Sequence, residues 1–246
     1  MLAIRKSNHE EGTMADEQTD FLVLANWKAN FAPQRAYQWC DTFAGSYRPL
    51  PGVEVVIAVP ALCMLEVAAR LGSLPGVALA AQGVSSYPQG SYTGATPAAW
   101  LRGLARYSLL GHRERRHYFH ETVQDVARQV AESLAEEVQP IVCVDQETAR
   151  SQAAIFDTED LLKIHWAYTP QDAEQLERSH SARAIEETVA SLGRAVGNQP
   201  MLYGGGVGPQ NGAQLASLAG ISGLLVGREC LDAQAFVQLL NQLPLP

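Results

Sequence analysis

A single-domain α/β fold, a (β/α)8 barrel, is what this sequence predicts. Three observations carry the prediction. Eight short apolar, β-branched runs recur along the chain. Stretches with apolar residues at helical spacing separate most of them. The chain has 246 residues, 47% hydrophobic and 18% charged, which suits one large domain with a sizeable core. Continuous apolar runs are what strands buried on both faces look like, as in a parallel sheet. Eight of them alternating with helices argue for a barrel. On pattern alone a doubly wound sheet is the alternative. There is no internal repeat of the solenoid kind and no low-complexity linker.

The elements follow in order. Phe21–Ala25 is the first strand and Ala36–Phe43 its helix. The β-branched run Val53–Val59 precedes the helical stretch Leu62–Leu71. Val77–Ala81 is followed by a long polar loop and a helical stretch over Pro97–Ala105. Tyr107–Leu110 leads into a short helical stretch after His112, and then into Val123–Val138. Ile141–Val144 opens a thin fifth unit, because Glu147–Phe156 is barely three turns of helix. Leu161–Tyr168 is read as the sixth strand, with Ala182–Val196 as its helix. Met201–Tyr203, Ala213–Leu218 and Gly223–Val226 complete the alternation. Residues 1–20 are polar and aperiodic. They read as a disordered extension, or as sequence upstream of an alternative start at Met14. The barrel domain is then 21–246.

Charge and composition exclude some functions. The formal net charge is −8, and the basic residues form no run outside Arg113 to Arg116, so nucleic acid is not an expected partner. No apolar run is long enough to span a membrane, and the basic Arg5 and Lys6 have no apolar segment behind them to make a secretory signal. Cys40, Cys63, Cys143 and Cys230 lack metal-ligand spacing and read as reduced, mostly buried thiols of a cytoplasmic protein. No metal and no cofactor is expected.

Barrel chemistry sits at the C-terminal ends of strands. The first strand ends in Ala25-Asn-Trp-Lys-Ala-Asn30. Period-two alternation puts Asn26 and Lys28 on one side, at the barrel mouth. A lysine there can hold a phosphate or a developing oxyanion, although a surface lysine would look the same. The fourth strand ends in Gly111-His-Arg-Glu-Arg-Arg116. A histidine at a helix N-terminus is pushed towards its neutral form, which can donate a hydrogen bond to a carbonyl. Glycines follow the last two strands, in Gly204-Gly-Gly-Val-Gly208 and at Gly227, where Arg228 comes next. Such turns let backbone amides approach an anion, as at the usual barrel phosphate site.

These segments together resemble the triosephosphate isomerase family, over most of residues 21 to 241. The resemblance implies the TIM barrel fold and interconversion of glyceraldehyde 3-phosphate and dihydroxyacetone phosphate, a step of glycolysis and gluconeogenesis. It implies catalytic roles for Asn26, Lys28 and His112, the last as neutral electrophile in the arrangement known from triosephosphate isomerases themselves. It makes Glu114, with Arg115 or Arg116, a structural network that orients the lysine. It implies phosphate contacts from Gly205, Gly206, Gly227 and Arg228. The loop Ala81–Gly94 resembles the family's subunit-docking loop. That implies a homodimer through residues 83–96, with Thr93 reaching the neighbour's site near Asn26. The implied partners are a small phosphorylated sugar and a second copy of the chain.

The departures are as informative. Gly206 stands where the family usually has serine, Arg228 where it has a second glycine, and Arg113 where it has serine. Gly83 and Ala95 replace the usual Asn and Glu of the docking loop. The family's catalytic base lies in an Ala-Tyr-Glu-Pro-Val-Trp-Ala-Ile-Gly-Thr-Gly stretch that continues into a lid. Here Ala167-Tyr168 runs straight into Thr169-Pro-Gln-Asp-Ala-Glu-Gln175. A deletion after Tyr168 removes both devices. Two other alignments put Thr169 or Lys163 on the base position, and none supplies a carboxylate. Asp145, Asp172 and Glu174 are the substitute bases within range, though each also reads as surface or capping charge. Three functions stay open: a family isomerase with very weak or lost activity, a non-catalytic barrel binding a small phosphorylated ligand or a protein, and an isomerase or lyase for another sugar phosphate.

Overall fold

Eight parallel strands close on themselves in the order β1-β2-β3-β4-β5-β6-β7-β8. The computed structural model describes residues 21–173, 175 and 179–244. The expected N-terminal extension over 1–20 and the candidate base Glu174 lie outside the described residues. The strands are β1 (Phe21–Asn26), β2 (Val53–Val59), β3 (Val77–Ala81), β4 (Tyr107–Leu110), β5 (Gln139–Val144), β6 (His165–Tyr168), β7 (Met201–Tyr203) and β8 (Ile221–Val226). Around them lie α1 (Pro33–Ser46), α2 (Met64–Leu71), α3 (Arg113–Tyr118), α4 (Val123–Ala135), α5 (Ala149–Ala153), α6 (Thr158–Lys163), α7 (Ala182–Ala195), α8 (Gly212–Ala216) and α9 (Ala233–Asn241).

Strand alternation divides the core in two. Leu22, Leu24, Val56, Ala58, Leu109, Ile141, Ala167, Leu202 and Leu225 fill the barrel interior. Val23, Ala25, Val55, Ile57, Trp166 and Tyr168 face the helices. Both faces are buried, which is why the strands read as continuous apolar runs. At the end of β1 and one step past the ends of β3, β6, β7 and β8, the interior parity aims Asn26, Gln82, Thr169, Gly204 and Gly227 at the barrel mouth.

Three expectations need correction. The sixth strand begins at His165, not Leu161, because Thr158–Lys163 is helical. Asp157 caps that helix by accepting the Asp160 amide at 2.9 Å, and Glu159 pairs with Lys163 one turn on. Pro97–Ala105 holds only a 3-10 turn over Ala98–Leu101, since Gly103 then takes a positive φ of 75°. Helix α4 stops at Ala135 where Glu137 turns left-handed. Helix α9 was not anticipated. Its signal was Asp232, whose carboxylate accepts the Gln234 and Ala235 amides ahead of the apolar Phe236, Val237, Leu239 and Leu240.

A polar cluster closes the barrel floor. The buried Glu54 carboxylate accepts the Tyr107 hydroxyl at 2.6 Å and Arg106 at 3.0 Å. His165 stands edge-on to Tyr107 and within 3.3 Å of Gln139 Oε1. Burial, then the Arg106 charge, holds the His165 imidazole below its usual proton affinity. The unfolded chain therefore binds this proton more tightly. The stability involved is complete above the ordinary histidine pKa near about 6.5 and is lost as pH falls below it. Unfolding in urea at pH 7.5 and 5.0 should show a smaller acid loss for His165→Gln than for the native chain. An equal loss in both would place the acid sensitivity elsewhere.

Candidate active site

A cavity of about 350 Å³ opens at the C-terminal mouth of the barrel. Its wall includes Lys28, His112, Arg113, Glu114, Thr169, Gly204, Gly206, Gly227, Arg228 and Glu229. Residues from the ends of β1, β4, β6, β7 and β8 thus meet in one place.

Lys28 owes its position to a left-handed turn. Strand β1 stops at Asn26, and Lys28 has a φ of 51°, a conformation that costs a non-glycine residue of order 1–3 kcal/mol. The surroundings impose it. The buried Asn26 side chain accepts the Lys28 amide at 3.0 Å, and the Gln82 amide donates to Lys28 O at 3.0 Å and to Ala58 O at 2.9 Å. Asn26 is therefore in the mouth as the parity predicts, but it holds the turn and is not on the cavity wall. Trp27 faces outward, fully buried against Phe31 and Trp39. The Lys28 ammonium meets Glu114 Oε1 at 2.5 Å, with roughly a quarter of each side chain exposed.

His112 is the N-cap of α3. Its Nδ1 accepts the Glu114 amide at 3.3 Å, a contact that suits a neutral ring with its hydrogen on Nε2. Glu114 also brings Oε2 to 3.5 Å from His112 Nδ1. Glu114 turns to Lys28, while Arg115 pairs with Glu121 at 2.6 Å. Arg116 donates to Gly111 O at 2.8 Å and to Gln152 Oε1 at 2.9 Å. Burial lowers the proton affinity of that guanidinium. Among the described residues the lysine-orienting contact is made by Glu114, and the two arginines tie α3 to its neighbours.

The glycines divide as well. Gly206 (φ 59°) and Gly227 line the cavity, and a Cβ at Gly227 would meet nothing within 4 Å. Gly205 does not line it. It lies over the Tyr203 hydroxyl and Pro170, where a Cβ would come within 2.7 and 3.0 Å. Arg228 is exposed at the rim.

Thr169 is buried on the cavity wall, its amide donating to Val144 O at 2.9 Å. Of the substitute bases, Asp145 accepts the Glu147 and Thr148 amides and the Thr148 hydroxyl at 2.8–3.0 Å, so it is a turn cap. Asp172 holds His180 Nε2 at 3.0 Å. Neither is on the cavity wall. Lys163 lies on α6, paired with Glu159, away from the mouth. Sequence reasoning gave no role to several wall residues, among them the polar Asn30, Gln210 and Glu229. Gln210 and Glu229 each lie two residues after a glycine, Gly208 and Gly227, in turns that were read for their glycines and Arg228. Thr93 sits at the exposed tip of the loop over 83–96 and lines a second cavity beside Leu65 and Trp100.

Comparison with known proteins agrees with this architecture. The sequence profile described as Triosephosphate isomerase matches residues 21–243. A protein named triosephosphate isomerase from Deinococcus radiodurans is 30% identical over 242 residues, covering 90% of this chain and 98% of the relative. Proteins of the same name from Thermus thermophilus and Delftia acidovorans are 32% and 33% identical, each with 89% of this chain and 97% of the relative covered. Ancestry and fold agree, and the chain belongs to the triosephosphate isomerase family.

Proposed function

We propose that this chain is a triosephosphate isomerase-like barrel that binds a small phosphorylated sugar and has very weak or no isomerase activity. The carrying observation is the end of β6. The interior-facing residue there is Thr169, followed at once by Pro170, and both line the cavity. A proton moves between adjacent carbons only with a base in hydrogen-bond reach and of suitable pKa. A threonine hydroxyl is not such a base without its own activator. The alignments favour the same reading. They run over 242 to 250 positions yet use about nine-tenths of this 246-residue chain, so this chain is the shorter partner within them.

The other half of the site is retained. Lys28 supplies positive charge, His112 an N–H donor, and the turns at Gly206 and Gly227 open backbone towards the cavity. Phosphate binding follows from that set with Arg228 at the rim, while Gly205 supports the turn from below. Glu114 positions Lys28. No metal, cofactor or nucleic acid enters the reading, and among the described residues no helix is long and apolar enough to cross a membrane. Four buried free thiols suit a reducing cytoplasm.

Homodimerisation belongs to the same proposal. Tyr87 and Tyr92 stack at 4.6 Å in the protruding loop, and exposed Leu65 and Trp100 line the cavity beneath it. Such an apolar surface suits a partner subunit, with Thr93 at the tip.

Glycerol 3-phosphate tests the binding claim. A ligand at one hundred times its Kd stabilises the folded state by about 2.7 kcal/mol. For a domain of this size that raises the melting midpoint by roughly 5–10 °C. A midpoint unmoved by tens of millimolar ligand would end the phosphate reading.

A further inference from the structure

Glu229 is a cavity-wall residue with no part in the proposed function. It sits on the 3-10 turn Arg228–Leu231, two residues after Gly227. Its side chain reaches across to the turn after β7. A Cβ placed on Gly208 would stand 2.9 Å from Glu229 Cγ and 2.8 Å from Gln210 Oε1. The Gly208 amide itself is already given to Asn211 Oδ1 at 2.9 Å. The Glu229 side chain and the Gln210 carboxamide therefore both lie against Gly208, between the two glycine turns and on the wall of the cavity.

We infer that Glu229 is a specificity-determining residue that weakens the cavity's hold on phosphate dianions and favours hydroxyl groups at that end. The inference rests on the reading that the turns after β7 and β8 form a phosphate cradle. Like charges at short range in a half-enclosed cavity repel, and Glu114 is already matched to Lys28. Hydroxyls, by contrast, donate charge-assisted hydrogen bonds to a carboxylate, and the Gln210 carboxamide offers both a donor and an acceptor beside it. The ligand class that fits is a phosphorylated sugar held only weakly through its phosphate and carrying hydroxyl groups that reach Glu229 and Gln210.

Calorimetric titration of the full chain with inorganic phosphate, glycerol 3-phosphate and glycerol tests this. Glu229→Gln keeps the shape and removes the charge, and Glu229→Ala guards against a defect peculiar to glutamine. Both variants should bind the two phosphate compounds about 10-fold or more tightly than the native chain. Glycerol should bind no more tightly than to the native chain. Native binding of phosphate that neither variant improves would overturn the inference and leave the phosphate cradle standing. Equal tightening for glycerol would also overturn it, since charge would not be the cause. Binding of phosphate by none of the three proteins would overturn the cradle and this inference together.

Discussion

A Lys28→Met chain is expected to bind glycerol 3-phosphate at least about 100-fold more weakly than the native chain, a loss of roughly 2.8 kcal/mol. Two effects add. The ammonium that attracts the ligand is gone, and the Glu114 carboxylate, 2.5 Å from it in the native chain, is left facing an anion. Truncating one member of a hydrogen-bonded, desolvated charge pair costs about 2–5 kcal/mol, much of it from the abandoned partner. Roughly a quarter of each side chain is exposed, so screening trims the figure without removing it. The double variant Lys28→Met, Glu114→Gln separates the two effects, because it discards the abandoned charge and should recover part of the affinity. Calorimetry with melting midpoints as a folding check reads both. Binding by Lys28→Met within about 3-fold of native would show that Lys28 is a surface residue with respect to the ligand.

Much of the fold was legible because a barrel strand is apolar on both faces. Every residue of Val53–Val59 is buried, so its run has clean ends. The same rule failed where an apolar helix abuts a strand. Leu161 packs against the outer core from α6, and nothing in hydrophobicity separates it from Ile164 and the strand beyond. The separating signal was the Asp157 cap, a side-chain hydrogen bond rather than a pattern.

The site was legible to the extent that it depends on strand ends. His112, Lys28, Thr169, Gly206 and Gly227 do meet on one wall. Gly205 and Asn26 are not on that wall: Gly205 packs over the Tyr203 hydroxyl and Pro170, and the Asn26 side chain is taken up by the Lys28 amide. Glu229 was missed because its reach is tertiary, while Gln210 folds back on Gly208 two residues before it. Only the proximity of the β7 and β8 turns aims them at one gap.

The activity prediction carries the largest effect. A positioned general base is worth about 10²–10⁴-fold, or roughly 3–5 kcal/mol of barrier. A closing lid adds more by excluding water and committing the substrate. With Thr169 at the end of β6, none of the carboxylates among the described residues stands opposite His112 as a free base. Glu114 is held by Lys28, Asp145 caps a turn, Asp172 holds His180, and Glu229 lies across the phosphate end. Retained His112 and Lys28 can polarise a carbonyl, but polarisation without abstraction moves no proton.

The deciding measurement is a coupled assay of glyceraldehyde 3-phosphate conversion at high protein concentration, run beside His112→Ala and Glu229→Gln. The account predicts native turnover at or near that of His112→Ala, and below that of base-bearing relatives by about 10²-fold or more. Native turnover far above His112→Ala would contradict it. Loss of that turnover in Glu229→Gln would then identify the carboxylate that took over as base.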